Sequence, residues 1–202
     1  MSPVTEPTEQ KQRALLDAAI GVFARFGYRK TSMDDIARAA GVSRQGLYLL
    51  FSNKEELFRR AVDYSLCSQL NAAIAVLSRN EPAFEERLVA ACDEWSGRFV
   101  GSLSDDAADL MCAGTSLAGE ILTSYEARFE QALASAIAAS PLVRRCRRIG
   151  VCHTEVARAL HATARGLKHS CKSRQDFVKG MSVAVRMFCA PAMPDSIKGV
   201  SE

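Results

Sequence analysis

Proline is scarce in the interior of this 202-residue chain: away from the two ends it stands only at positions 82 and 141. Runs of alternating β-branched residues are missing as well, so the chain reads as all-α. No apolar run approaches the roughly 18 residues that a membrane span needs. The N-terminal MSPVTEPTEQ is acidic and proline-bearing, not basic and then apolar. A soluble, untargeted, cytoplasmic protein without membrane attachment is expected. The cysteines at 67, 92, 112, 146, 152, 171 and 189 never take C-x-x-C spacing, which excludes the usual zinc and dithiol motifs and fits a reducing compartment. His153, His161 and His169 stand eight apart, an advance of about 80° around a helix at each step, so they do not gather as ligands. Neither a metal nor a cofactor is expected. Nucleophile elbow, phosphate-binding glycine loop and dinucleotide fingerprint are all missing, which argues against an enzyme.

What is present is a large apolar fraction, 48%, enough for one or two packed domains. The formal net charge is +3 and sits in the first 60 residues, with ten Lys and Arg against seven Asp and Glu; the rest of the chain is balanced. A polyanion at the N-terminal end would account for that asymmetry.

Helical periodicity runs from about Thr8 to Phe26, where Leu15, Ala19, Val22, Phe23 and Phe26 recur at three and four residues and Gly27 follows as a stop. Thr31 or Ser32 can cap a second helix over MDDIARAA; Ser32 and Asp35 have capping-box spacing, and Gly41 ends it. Ser43 can cap a third over RQGLYLLF, and Asn53 with Glu56 opens a fourth from Lys54 to about Arg79. Further helices are expected near 83–102, 106–123, 125–139, 152–172 and 175–189.

Two short helices joined by GVS form the layout that offers a second helix to the DNA major groove. At 100° per residue, Leu47, Leu50 and Phe51 share one arc of the third helix; Arg44, Gln45, Tyr48 and Leu49 share the other. Ile36, Ala37, Ala40 and Val42 supply the matching apolar side. Arg can pair with guanine O6 and N7, Gln with adenine N6 and N7, and Leu can cover a thymine methyl. Gly46 leaves room for close approach. Thr31, Ser43, Tyr48 and Lys54 suit phosphate oxygens.

The stretch FARFGYRKTSMDDIARAAGVSRQGLYLLFSNKEELF resembles the N-terminal domain of the tetracycline-repressor (TetR) family. The shared features are the Phe-Gly end of the first helix, Thr31 and Ser32, the I-A-x-x-A-G-V-S core, Leu47, Tyr48, Phe51, and Lys54 with Glu55 and Glu56. The resemblance covers about residues 10–60. It implies an N-terminal three-helix DNA-binding domain, a larger helical domain for ligand binding and dimerisation, and a homodimeric repressor. Such a repressor is released from a palindromic double-stranded DNA operator by a small-molecule effector. The implied organisation is a flexible tail at 1–9, a helix-turn-helix domain at 10–56, an effector and dimer domain at 57–190, and a tail at 191–202.

The DNA-binding set is expected to be Thr31, Ser32, Ser43, Arg44, Gln45, Gly46, Tyr48, Leu49 and Lys54. Leu49 and Leu50 depart from the family, which often has aromatic or histidine residues there; Gln45-Gly46 replaces a small hydroxyl residue.

The family pairs its last two long helices, which points to dimerisation near 152–172 and 175–189. Val156, Leu160, Thr163 and Leu167 form one stripe there, and Phe177, Met181, Ala184, Val185 and Phe188 another; either can instead serve the chain's own core. For an effector pocket the candidates are Trp95, Arg98, Phe99, Met111, Cys112, Tyr125 and Phe129. An alternative switch is thiol oxidation at Cys146 or Cys152, the two cysteines with basic neighbours. The basic run RRCRR at 144–148 reads as a solvated cluster at a helix end.

Overall fold

The structure, a computed structural model, describes residues 6–101 and 107–190, without the side chains of 6–9, 107, 108 and 111. The expected tail at 191–202 lies outside the described residues, as do residues 1–5 of the N-terminal one. Among the described residues all regular structure is helical: α1 (Glu6–Phe26), α2 (Met33–Ala39), α3 (Arg44–Leu50), α4 (Lys54–Leu77), α5 (Phe84–Trp95), α6 (Ala107–Ala138), α7 (Leu142–Arg148), α8 (His153–Ser170) and α9 (Arg174–Cys189), with a 3₁₀ turn at Gly97–Phe99. No described helix is long and apolar enough to cross a membrane.

The chain divides into two compact units, residues 1–72 with 101–128, and residues 73–100 with 129–202. In the first unit, α1 buries Leu15, Leu16, Ala19, Val22 and Phe23 against Met33, Ile36 and Ala37 of α2, Leu47 of α3, Phe51, and Leu57, Phe58 and Ala61 of α4. Ala113 of α6 closes the same core, and Leu110 and Leu117 pack on it. Phe23, Tyr28 and Phe58 stand at its centre, the last meeting the other two edge-on at 5.0 Å between centroids.

The corners of this unit are set by caps. Gly27 and Gly41 take φ of 78° and 67°, a left-handed conformation that costs a side-chain-bearing residue more than glycine. Ser32 Oγ accepts from the Asp35 amide at 3.2 Å while Asp35 Oδ2 accepts from the Ser32 amide at 3.0 Å, a complete capping box. Ser43 Oγ accepts from the Gly46 amide at 3.0 Å, and Asn53 Oδ1 from the Glu56 amide at 2.8 Å. The Asp35 carboxyl is held below its ordinary value, chiefly by the Ser32 hydroxyl, as is that of Glu56 by the Ser52 hydroxyl. These carboxylate contacts are therefore complete above the usual carboxylate range and fade as pH falls through the lowered values.

Three boundaries differ from the sequence expectation. The α5 helix stops at Trp95, where the chain tightens into the 3₁₀ turn. The helices expected at 106–123 and 125–139 are one, because nothing at 124 breaks the backbone; its non-helical residue is Ala118 (φ −135°, ψ 17°), in a stretch containing Gly114, Ser116 and Gly119. RRCRR forms the C-terminal end of α7, a helix that the sequence reading omitted, with Arg145, Arg147 and Arg148 in its last turn. Pro141 opens that helix as well as closing its predecessor, because a missing N–H costs nothing at a helix start.

In the second unit, α9 packs against α5 and α8. Leu88, Phe129, Leu133, Ile137, Leu160, Phe177 and Met181 are fully buried. Asp93 of α5 receives Arg174 of α9 through two near-parallel bonds, Nε to Oδ1 at 2.9 Å and Nη2 to Oδ2 at 2.6 Å. Gly97 lies under both features: a Cβ there would press on the Asp93 carboxylate and come within 2.9 Å of the Phe177 ring. The Gly97→Ala variant is expected to lose about 1–3 kcal/mol of stability, as overpacked sites do; urea unfolding of this variant against the unmodified chain measures it.

Candidate nucleic-acid interface

The third helix is two turns long, too short to persist without tertiary support. Its support comes from Leu47, fully buried, Phe51 at its C-cap, and the Ser43 cap. Everything else on α3 is free to face outward. Arg44, Gln45, Tyr48 and Leu49 are exposed, Leu49 to 81%. Leu50 departs from the helical-wheel assignment: it is 54% exposed, because its direction lies at the edge of the inner arc and Leu47 with Phe51 already fills the core there. Val42, expected on the apolar side, is also exposed.

Arg44 Nη1 donates to Asp34 Oδ2 at 2.9 Å, and its guanidinium carbon lies 5.6 Å from the Tyr48 ring centroid. Gln45 carries no such restraint among the described contacts. A Cβ on Gly46 would stand 3.1 Å from Ser43 Oγ, so the glycine keeps the capping hydroxyl in place. That hydroxyl accepts from the Gly46 amide and retains its own proton for an outside acceptor. Ser32 is exposed at the start of α2.

Two expected phosphate ligands are turned inward. Thr31 is 2% exposed, and its hydroxyl donates to the Gly27 carbonyl at 2.6 Å. Lys54 extends over the Tyr28 ring, 4.5 Å from its centroid, and its ammonium donates to the carbonyls of Tyr28 (3.0 Å), Arg29 (3.4 Å) and Thr31 (2.9 Å). An ammonium has three protons, and here each has an acceptor. The side chain binds the α1–α2 connection to the first residue of α4. Sequence reasoning missed this because the three acceptors are main-chain oxygens more than twenty residues away. It also missed Asp109 of α6, which accepts from the Arg29 amide at 2.8 Å and pairs with its guanidinium at 3.3 Å.

Residues 15–61 match the family model described as bacterial regulatory proteins, tetR family. Over those residues the chain is similar to the N-terminal domain of that family. A relative in Bacillus subtilis, the uncharacterized HTH-type transcriptional regulator YfiR, is 43% identical over 68 residues, 33% of either chain. The biofilm operon icaADBC HTH-type negative transcriptional regulator IcaR of Staphylococcus epidermidis is 37% identical over 49 residues, 24% of this chain and 26% of its own. The chain thus spans a third or less of the length of these relatives. Beyond the N-terminal domain the likeness is one of fold. The crystal structure of the TetR-family transcriptional regulator PfmR from Thermus thermophilus superposes with a TM-score of 0.59 at 20% identity, covering 86% of this chain and 96% of that one.

The seven effector candidates divide between the two units. Trp95 and Phe129, in the second unit, stack at 4.9 Å, and Trp95 Nε1 donates to His161 Nε2 at 3.3 Å. Indole only donates, so His161 Nε2 is the acceptor and Nδ1 carries the proton toward Glu130 Oε1, 2.8 Å away. Trp95 and His161 are buried in this network, and Glu130 at its end is partly exposed. Arg98 is exposed and pairs with Glu94 at 3.4 Å, and Phe99 is half-buried. In the first unit, Cys112 is exposed and Tyr125 donates to Asp63 at 3.0 Å; burial is the main cause that pushes the Tyr125 phenol up to about 12. The Met111 side chain lies outside the described residues. A cleft of about 420 Å³ in the second unit is bounded instead by Leu142, Arg145, Cys146, Ile149, Val156 and Phe188 of α7, its flank, α8 and α9.

The stripes named for dimerisation are largely consumed by the chain itself: Val156, Leu160, Phe177, Met181 and Val185 are buried. The exposed apolar residues of α9 are Val183 (54%) and Met187 (72%), one turn apart. Among the described residues no cluster of His, Cys, Asp or Glu is arranged to hold a metal ion.

Lys54→Met keeps the stem over Tyr28 and leaves three carbonyls without the ammonium. It is expected to lower stability by about 1–3 kcal/mol, the range for hydrogen bonds to a charged group. Chemical denaturation measures the loss, with Lys54→Arg as the partial rescue.

Proposed function

We propose that this chain is a homodimeric, DNA-binding transcriptional repressor whose α3 lies in the major groove of a palindromic operator. The observation that carries this is the outward arc of Arg44, Gln45, Tyr48 and Leu49 on a capped helix whose other side is locked into a core by Leu47. In this reading Arg44, Gln45, Gly46 and Leu49 meet base edges, while Ser32, Ser43 and Tyr48 meet phosphates. Thr31 and Lys54 act from within, by holding the connection between α1 and α2. In this reading residues 10–56 carry DNA binding and 57–190 effector binding and dimerisation, although α1 already begins at Glu6 and Leu57, Phe58, Ala61 and Ala113 share the core of α1 to α3.

Dimerisation uses α8 and α9. The support is the family's pairing of its last two helices, together with Val183 and Met187 standing free on α9. Two α3 helices must then lie about one DNA turn, ~34 Å, apart. A small-molecule effector favours a different spacing and so releases the DNA, which requires unequal affinity for the two states. IcaR, matched over part of the N-terminal domain, is itself a negative regulator.

Selection from random duplex DNA with the full chain is expected to enrich one palindromic sequence, bound more weakly as salt rises. Arg44→Ala is expected to weaken binding to it by about 1–3 kcal/mol and relax one base pair per half-site. Fluorescence anisotropy at two salt concentrations reads both effects, and failure to enrich any sequence would sink the reading.

A second switch, thiol oxidation, is favoured by the geometry of Cys152. Cys146 is buried, but Cys152 is exposed at the N-cap of α8, where the Thr154 hydroxyl donates to its sulfur at 3.1 Å. That hydrogen bond is the chief cause lowering the Cys152 thiol below its ordinary value. More thiolate is then present at neutral pH, and the thiolate is the nucleophile. Iodoacetamide labelling followed by mass spectrometry is expected to modify Cys152 ahead of the exposed Cys112 at pH 7.

A further inference from the structure

The two acidic residues that open α2 have different tasks. Asp35 is committed to the Ser32 cap. Asp34 Oδ2 accepts from Arg44 Nη1 at 2.9 Å, across the turn between α2 and α3. Its Oδ1 is enclosed and has no hydrogen-bond partner. The Arg44 guanidinium lies against Tyr48 as well. An arginine side chain ordinarily loses considerable rotamer freedom when it docks. Here part of that loss is incurred before any ligand arrives. One of its five N–H donors is used by Asp34, and four remain, whereas guanine needs two.

We infer that Asp34 is a positioning residue that determines DNA specificity through Arg44. It fixes the guanidinium in the orientation that reads a guanine, and its negative charge disfavours duplexes that offer no such base. The inference rests on the reading that α3 makes the base contacts. A carboxylate beside the groove repels every duplex alike, so its presence weakens non-specific binding. Only a sequence that satisfies the oriented Arg44 recovers the loss.

The test uses the full chain, the duplex enriched by selection on the unmodified protein, and a scrambled duplex of equal length and composition. Asp34→Ala is expected to bind the enriched duplex several-fold more weakly and the scrambled duplex more tightly. The ratio of the two affinities should fall about tenfold, within the range one bidentate base contact supplies. The gain on the scrambled duplex should fade as salt rises, since it comes from the loss of a repelling charge. In an Arg44→Ala background, Asp34→Ala should leave the ratio where it is, because the residue through which Asp34 acts is gone. Asp34→Asn, isosteric and still an acceptor, covers the case in which alanine disturbs α2; it should move the ratio the same way by less. Equal weakening on both duplexes, or an undiminished fall of the ratio without Arg44, overturns the inference. If the unmodified chain enriches no duplex, the underlying reading has failed first. If it does, and Arg44→Ala relaxes one base pair while Asp34→Ala leaves the ratio unmoved, only the role of Asp34 falls.

Discussion

The ammonium of Lys54, seated on three carbonyls of the α1–α2 connection, is the constraint on which the N-terminal unit depends. Carbonyls in a short connection have no helical partner, and a connection that satisfied them with water would be free to move. One side chain from α4 gathers them instead, and the Thr31 hydroxyl takes the Gly27 carbonyl from inside. The start of α2 is thereby set relative to α1 and α4. Because Gly41 and Ser43 leave little slack before α3, the direction of α3 is set as well.

This arrangement separates the residues that hold the fold from those that face outward. Leu47, Phe51, Ser43 and the capping box hold the short helices, so the outward residues of α3 have no structural duty and can vary with little cost to the fold. Arg44 is the exception: its link to Asp34 ties an outward-facing side chain back to α2. The second unit handles polarity differently. There Trp95 and His161 are buried and linked to the partly exposed Glu130, while Arg174 and Asp93 join α9 to α5.

Much of this was legible in the residues. The caps at Ser32, Ser43 and Asn53 and the stops at Gly27 and Gly41 follow from local chemistry, which spacing reports directly. So do the inner position of Leu47 and the outer position of Arg44, Gln45, Tyr48 and Leu49. What escaped depended on contacts between residues distant in sequence. Lys54 and Thr31 are types that suit phosphates, and only tertiary structure turns them inward. The stripes of α8 and α9 have a period that a dimer and a self-packed core share, and burial assigns most of them to the core. Pro141 marked a break, but its second role as a helix opener left α7 unread. The aromatic residues proposed for a ligand were apolar enough for a pocket and equally so for packing, and Trp95 with Phe129 is stacked and closed.

The participation of α6 in the N-terminal core has a consequence for modularity. Ala113, Leu110 and Leu117 cover apolar surface that α1 to α4 leave open, and Asp109 holds the Arg29 backbone. The N-terminal head is thus not a bead that can be cut at the end of the helix-turn-helix and strung onto another body. A chimera would inherit an uncovered hydrophobic face unless its new body brought an equivalent of α6. Any exchange of the head of this chain would have to carry that helix with it, although about fifty residues of sequence separate them.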